Sequence, residues 1–194
     1  MALLLSLLTA LVVLSCGLVP SLGCDLPQSH FLASKKTPVL LDQMRKLSPF
    51  LCVKDRKDFR FPQEMGGSQL QKAQALSVYH EMLEQIFNLF HSERASAAWN
   101  TTLLDQLHSE LHQQLEDLET CLVQLMGEEE SASAMEGPTL AVKRYFWRIR
   151  LYLKEKAYSD CAWEVVRVEI RRAFSSSANL QEGLRRKDGA LGSS

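Results

Sequence analysis

Tyr158-Ser-Asp-Cys-Ala-Trp-Glu-Val-Val-Arg-Val-Glu-Ile-Arg-Arg-Ala-Phe174 carries a helix start signal, an apolar face and a charged face. Ser159 or Asp160 can accept hydrogen bonds from the free N–H groups of a first turn. Trp163, Val166, Ile170 and Phe174 recur at spacings of three and four, so they share one side of a helix. Arg167, Arg171 and Arg172 fall elsewhere on the cylinder, with Val168 beside them. Arg167 and Arg171 are like charges four positions apart, an arrangement that costs an isolated helix roughly 0.2–0.5 kcal/mol. Charge alone favours a solvated face. A basic cluster that weakens its own helix also suits a partner.

Four more helices can be read outward from this one. Thr102-Leu-Leu-Asp105 has capping-box form. Leu104, Leu107, Leu111, Leu115, Leu118, Leu122 and Leu125 then trace a narrow seam suited to a bundle interior. Upstream, Ser68-Gln-Leu-Gln71 is another capping box. Leu76, Tyr79, Leu83, Ile86, Phe87 and Phe90 follow on one side, to about His91. Thr139 opens a helix with Val142, Tyr145, Phe146, Ile149, Tyr152 and Leu153 inward; Lys143, Arg144, Arg148, Arg150 and Lys154 make its outer face basic. Nearest the N-terminus, Thr37-Pro38 predicts a cap with Pro at the first helical position. Leu40, Leu41, Met44 and Leu47 continue that helix until Ser48-Pro49.

The connections read as a lead over 24–36, a long crossover over 48–67, a polar turn over 92–99 and a flexible acidic loop over 127–138. Residues 175–194, rich in Ser, Gly and charge, read as a tail that is flexible from about 178. The expectation is all-α: a five-helix cytokine-type bundle whose long crossover lets the first two helices run parallel, in up-up-down-down order.

Leu3 to Val19 is almost wholly apolar, and Pro20-Ser-Leu-Gly23 places small residues before Cys24. This is a secretory signal pattern over residues 1–23, although no Lys or Arg precedes the apolar run. Residues 24–194 then form one domain. The net charge of −1 argues against a nucleic-acid partner. No later stretch is apolar enough for membrane insertion. Cys24, Cys52, Cys121 and Cys161 predict two disulfides in an oxidising compartment, with three connectivities open. Asn100-Thr-Thr102 is a glycosylation acceptor placed just before a helix.

Catalytic chemistry is absent from the pattern. There is no nucleophile elbow, phosphate loop or dinucleotide fingerprint. Met65-Gly-Gly-Ser68 has no strand before it. His108 and His112 share a helix face, but Glu110 lies on another, so the zinc-protease arrangement is missing. No catalytic residue, metal ligand or cofactor is expected. A rival reading is a secreted lipid- or heparin-binding module built on the amphipathic helices. The wide cysteine spacing and narrow seams favour a closed bundle.

Cys161-Ala-Trp-Glu-Val-Val-Arg167, Phe59-Arg-Phe-Pro-Gln-Glu64, Gln85-Ile-Phe-Asn-Leu-Phe90, Ser96-Ala-Ala-Trp-Asn100 and Tyr152-Leu-Lys-Glu-Lys156 together resemble the type I interferons. The resemblance covers essentially the whole of residues 24–194. It implies a secreted, monomeric helical cytokine with disulfides Cys24–Cys121 and Cys52–Cys161. It also implies a two-chain cell-surface receptor whose joining activates Janus kinases and STAT factors, with antiviral, antiproliferative and immunomodulatory gene expression. By this resemblance the high-affinity receptor chain meets Val53 and Arg56 of the crossover and Arg167, Val168, Arg171 and Arg172 of the last helix. The lower-affinity chain meets Phe87, Asn88, Leu103, Lys143 and Arg144.

Overall fold

A computed structural model describes residues 26–62, 70, 72–125 and 132–191, without the side chains of 28, 29, 132–135 and 178–191. Six α-helices carry the fold over these residues: α1 (Gln28–Gln43), α2 (Lys72–Phe90), α3 (Glu93–Ala98), α4 (Thr101–Leu125), α5 (Ala132–Glu155) and α6 (Asp160–Leu191). A 3-10 turn, Val53–Asp55, lies in the crossover. No strand occurs among the described residues.

Cross-helix contacts fix the directions. Thr37 of α1 bonds Gln114 of α4, whereas His30 approaches Asp117, so α1 and α4 are antiparallel. His80 and Phe87 of α2 face Glu119 and His108 of α4, so α2 is antiparallel to α4 and parallel to α1. Lys143 reaches Glu81 while Arg150 reaches Gln85, so α5 runs parallel to α2. A tight turn returns α6 against α5, where Tyr145 meets Glu169. Thus α1, α2, α4 and α6 run up, up, down and down, and α5 is the added fifth long helix. The small α3 occupies the stretch expected as a polar turn. Ser92 caps it by accepting from the Ala95 N–H at 3.3 Å.

The core follows the expected faces. Leu76, Tyr79, Leu83 and Ile86 of α2 are fully buried, as are Leu107, Leu111 and Leu118 of α4. Val142, Tyr145, Phe146 and Ile149 of α5 join them, together with Trp163, Val166 and Ile170 of α6. Leu115, Leu122 and Leu125 are only partly buried against this cluster.

Several boundaries depart from expectation. Thr37-Pro38 does not start α1: Pro38 lies inside a helix that begins after Pro27. Proline has no N–H, so the Ser34 carbonyl loses its usual helix donor. Thr37 Oγ1 donates to the Ala33 carbonyl at 3.1 Å instead of capping. The helix ends at Gln43, before Leu47. Pro138 is likewise inside α5, which starts at Ala132 rather than Thr139. The start of α4 is capped by Asn100, whose Oδ1 accepts from the Leu103 N–H at 3.2 Å, not by Thr102. Helix α6 continues to Leu191, through the expected tail. Ser175 and Ser177 donate to helix carbonyls at Arg171 and Phe174, so their hydroxyls do not interrupt it. The signal segment, Cys24 and the Ser68–Gln71 capping box fall outside the described residues, Leu70 excepted.

Candidate functional site

The crossover is clamped onto the bundle by side chains from two helices. Cys52 and Cys161 form a disulfide with Cα atoms 5.2 Å apart, joining the crossover to the first turn of α6. Tyr152 Oη donates to the Asp55 carbonyl at 2.7 Å, and Lys156 Nζ lies 2.8 Å from Asp55 Oδ1. Burial, with the Asp55 carboxylate beside it, pushes the Tyr152 phenol up to about 12, so it remains a donor at neutral pH. Arg148 donates from Nε to the Phe59 carbonyl at 2.8 Å and from Nη2 to the Arg60 carbonyl at 3.0 Å. Phe59 is buried edge-on against Tyr152, with ring centres 5.2 Å apart. The expected basic outer face of α5 is therefore partly spent on holding the crossover.

A cleft of about 220 Å³ lies between crossover and α6, lined in part by Cys52, Arg56, Glu164, Val168, Glu169 and Arg172. Val53 is half exposed, Arg56, Arg171 and Arg172 are exposed, and Val168 is 40% exposed. Of the six residues expected for the high-affinity chain, Arg56, Val168 and Arg172 line this cleft, and Val53 and Arg171 are exposed on the same two segments. Phe50 and Leu51 of the crossover, just before Cys52, are 81% and 72% exposed, and the sequence reading missed both. Large apolar residues left open beside a disulfide-anchored loop mark a contact surface. Their signal was their position two residues and one residue before Cys52.

Arg167 is the exception. It is 2% exposed and faces inward. Its Nε and Nη2 donate to Glu164 at 2.9 and 2.6 Å, and its Nη1 donates to the Leu41 carbonyl at 2.8 Å. Asp42 Oδ1 lies 3.6 Å from Arg167 Nη1 and 2.9 Å from Arg171 Nε. The carboxylate between them removes the like-charge penalty expected for the two arginines. Arg167 is a strut joining α6 to the end of α1, and a contact role for its guanidinium is withdrawn.

The five residues expected for the lower-affinity chain spread over α2, α4 and α5. Asn88 is exposed on α2. Phe87 is half-buried, stacked on His91 with centres 5.3 Å apart and 5.4 Å from the His108 ring. Leu103 is half-buried at the start of α4. Lys143 and Arg144 are exposed on α5, and Lys143 Nζ lies 3.4 Å from Glu81 Oε2. Phe87 thus serves both the aromatic rim and the surface. His108 and His112 do not share a ligand set. His108 packs on Phe87, whereas His112 pairs with Glu116 at 3.2 Å. No metal-holding group of three or more side chains occurs among the described residues.

The family model for the interferon alpha/beta domain matches residues 26–184. Human interferon omega-1 is 67% identical over 100% of both chains. The chain belongs to the type I interferon family. Horse interferon omega-2 is 68% identical, again over 100% of both chains. Human interferon alpha-14 is 58% identical, over 97% of this chain and 100% of its own. Zebrafish interferon 2, at 22% identity, shares the fold with a TM-score of 0.66, over 79% of this chain and 97% of its own. This interferon is accordingly a cytokine and not an enzyme. No described helix is long and apolar enough to cross a membrane. Asn100 is exposed, and its Oδ1, not Nδ2, makes the helix cap. The nitrogen that a glycan modifies is therefore not needed by the cap.

Proposed function

We propose that this interferon is secreted after removal of residues 1–23 and acts as a monomer that joins the two chains of the type I interferon receptor. Joining brings their associated Janus kinases together and activates STAT factors, with antiviral, antiproliferative and immunomodulatory gene expression. A second disulfide, Cys24–Cys121, ties the N-terminus to α4. Asn100 carries a glycan.

One observation supports the reading most. The crossover is pinned by Cys52–Cys161 so that Arg56, Val168 and Arg172 line a single cleft. A rigid face with an apolar centre and an arginine rim is how interfaces concentrate binding energy. The high-affinity chain meets Val53, Arg56, Val168, Arg171 and Arg172, with Phe50 and Leu51 added. Arg167 serves this face by fixing α6 against α1. The lower-affinity chain meets Phe87, Asn88, Leu103, Lys143 and Arg144.

The test is a STAT-responsive reporter in receptor-bearing cells, with blocking antibody against either receptor chain. Induction that either antibody abolishes supports the proposal. Induction that persists under both, or no induction by folded protein, ends it.

A further inference from the structure

Two imidazoles meet where the end of α2 lies against α4. His91 directly follows α2, and His108 lies two turns into α4. Their ring centres are 5.0 Å apart, with the planes tilted by 60°. Two imidazoles that ligate one tetrahedral zinc, through bonds of about 2.0–2.1 Å, have ring centres about 5 Å apart. The spacing found is that of a shared metal. The Phe87 ring backs both, stacked on His91 at 5.3 Å and 5.4 Å from His108.

His108 is presented as a ligand. Its Nε2 is buried and has no hydrogen-bond partner among the described residues. The ring also hydrogen-bonds the Phe90 carbonyl, and that bond falls to Nδ1, the other nitrogen. A backbone carbonyl that takes the Nδ1 proton leaves the lone pair on Nε2, which is how metal-ligating histidines are oriented. A buried nitrogen left unpaired costs stability, and a metal ion would satisfy it. His91 is exposed, so its ring is free to adjust to the ion. The surroundings favour a cation. The carbonyl end of α2 carries partial negative charge, and Asp105 acts on His108 electrostatically. His80 and His112 are arranged differently, each facing one glutamate: Glu119 at 4.0 Å and Glu116 at 3.2 Å.

We propose that His91 and His108 together bind one zinc ion, His108 through Nε2, with water in the remaining positions. The ion clips the end of α2 to α4 across the short helix α3. Two side chains hold zinc less tightly than the four of a structural centre, so occupancy follows the free zinc concentration around the protein. The inference does not depend on the receptor reading.

The test treats the disulfide-bonded chain with a chelator, removes the chelator and titrates in zinc chloride. Calorimetry reads binding, and NMR follows the imidazole Hε1 resonances. The parent chain is expected to take up one zinc, with the His91 and His108 resonances shifting together and the melting temperature rising with zinc. His91→Gln and His108→Gln should each weaken binding by about tenfold or more. His80→Gln and His112→Gln should bind zinc as the parent does. His91→Gln changes an exposed side chain, so it folds and keeps the test decisive even if His108→Gln does not. Absence of saturable zinc binding by the parent overturns the inference. So does binding that His91→Gln leaves unchanged, or a loss that follows His80→Gln or His112→Gln instead.

Discussion

Glu164 and Arg167 face each other one turn apart on α6, with Nε to Oε2 at 2.9 Å and Nη2 to Oε1 at 2.6 Å, and both are almost sealed from solvent at 1% and 2% exposure. Removing one member leaves the other as an unpaired buried charge, which costs about 3–5 kcal/mol. Arg167→Ala should lower the unfolding free energy from urea denaturation by about that amount, and Glu164→Ala by less, because Arg167 keeps the Leu41 carbonyl and Asp42. The joint replacement Glu164→Leu with Arg167→Met should cost less than either alone. Binding measured on Arg167→Ala at a temperature where it remains folded should fall far less than its stability does.

Arg56 and Arg172 behave in the opposite way. Both are exposed and line the same cleft. Arg56→Ala and Arg172→Ala should each weaken binding to the high-affinity ectodomain by about 1–3 kcal/mol. Their unfolding curves should overlay that of the parent chain. Equal affinity in the double variant would remove the cleft from the interface.

The buried imidazole of His30 gives the stability a pH dependence. It is fully buried, with neither ring nitrogen hydrogen-bonded, 3.9 Å from Asp117 and edge-on to Tyr79. Desolvation lowers its pKa to about 4, against a partial opposing pull from Asp117 and the Gln114 backbone. The folded chain therefore keeps His30 neutral where the unfolded chain, near 6.5, binds a proton. Stability from this group is complete above about pH 6.5 and declines as pH falls toward 4, by about 3 kcal/mol in all. Glu169 acts in the other direction, because burial raises its carboxyl in the fold. Denaturation of His30→Gln from pH 7 to pH 4 should show a shallower loss than the parent.

Asn100 has two separable roles. Asn100→Ser keeps a good cap for α4 and loses the acceptor nitrogen. It should migrate as the unglycosylated species with little change in stability. Asn100→Ala should lose the glycan and about 1 kcal/mol as well. Electrophoresis after glycosidase treatment, with thermal unfolding, distinguishes the two.

The leucine seam and the aromatic faces made the bundle legible, because a helix must bury one side and its spacing records which. What was hidden involves contacts far apart in sequence. Gln114 sits in the middle of the α4 seam with no exposed surface, bonded to Tyr79 at 3.1 Å and Thr37 at 3.0 Å. Nothing local distinguishes it from a solvated glutamine. Arg167 looked like surface for the same reason: its acceptor on Leu41 belongs to another helix. Pro38 misled because a single proline can sit inside a helix when neighbouring turns and tertiary packing hold it. Arg56, Val168, Arg171 and Arg172 are exposed as expected, since an exposed face is fixed once the core face is known.

The sulfur bridge at Cys52 and Cys161 closes a covalent ring that includes α2, α3, α4 and α5, its ends separated by 109 positions in sequence. A protease that cuts the backbone once anywhere between Val53 and Asp160 opens the ring without producing two molecules. The nicked chain keeps its mass until a reductant is added, and its α1 and α6 stay tethered side by side. A cut between Cys24 and Cys52 is held only by the proposed tether at Cys121, whereas a cut after Cys161 releases the C-terminal piece, which has no cysteine.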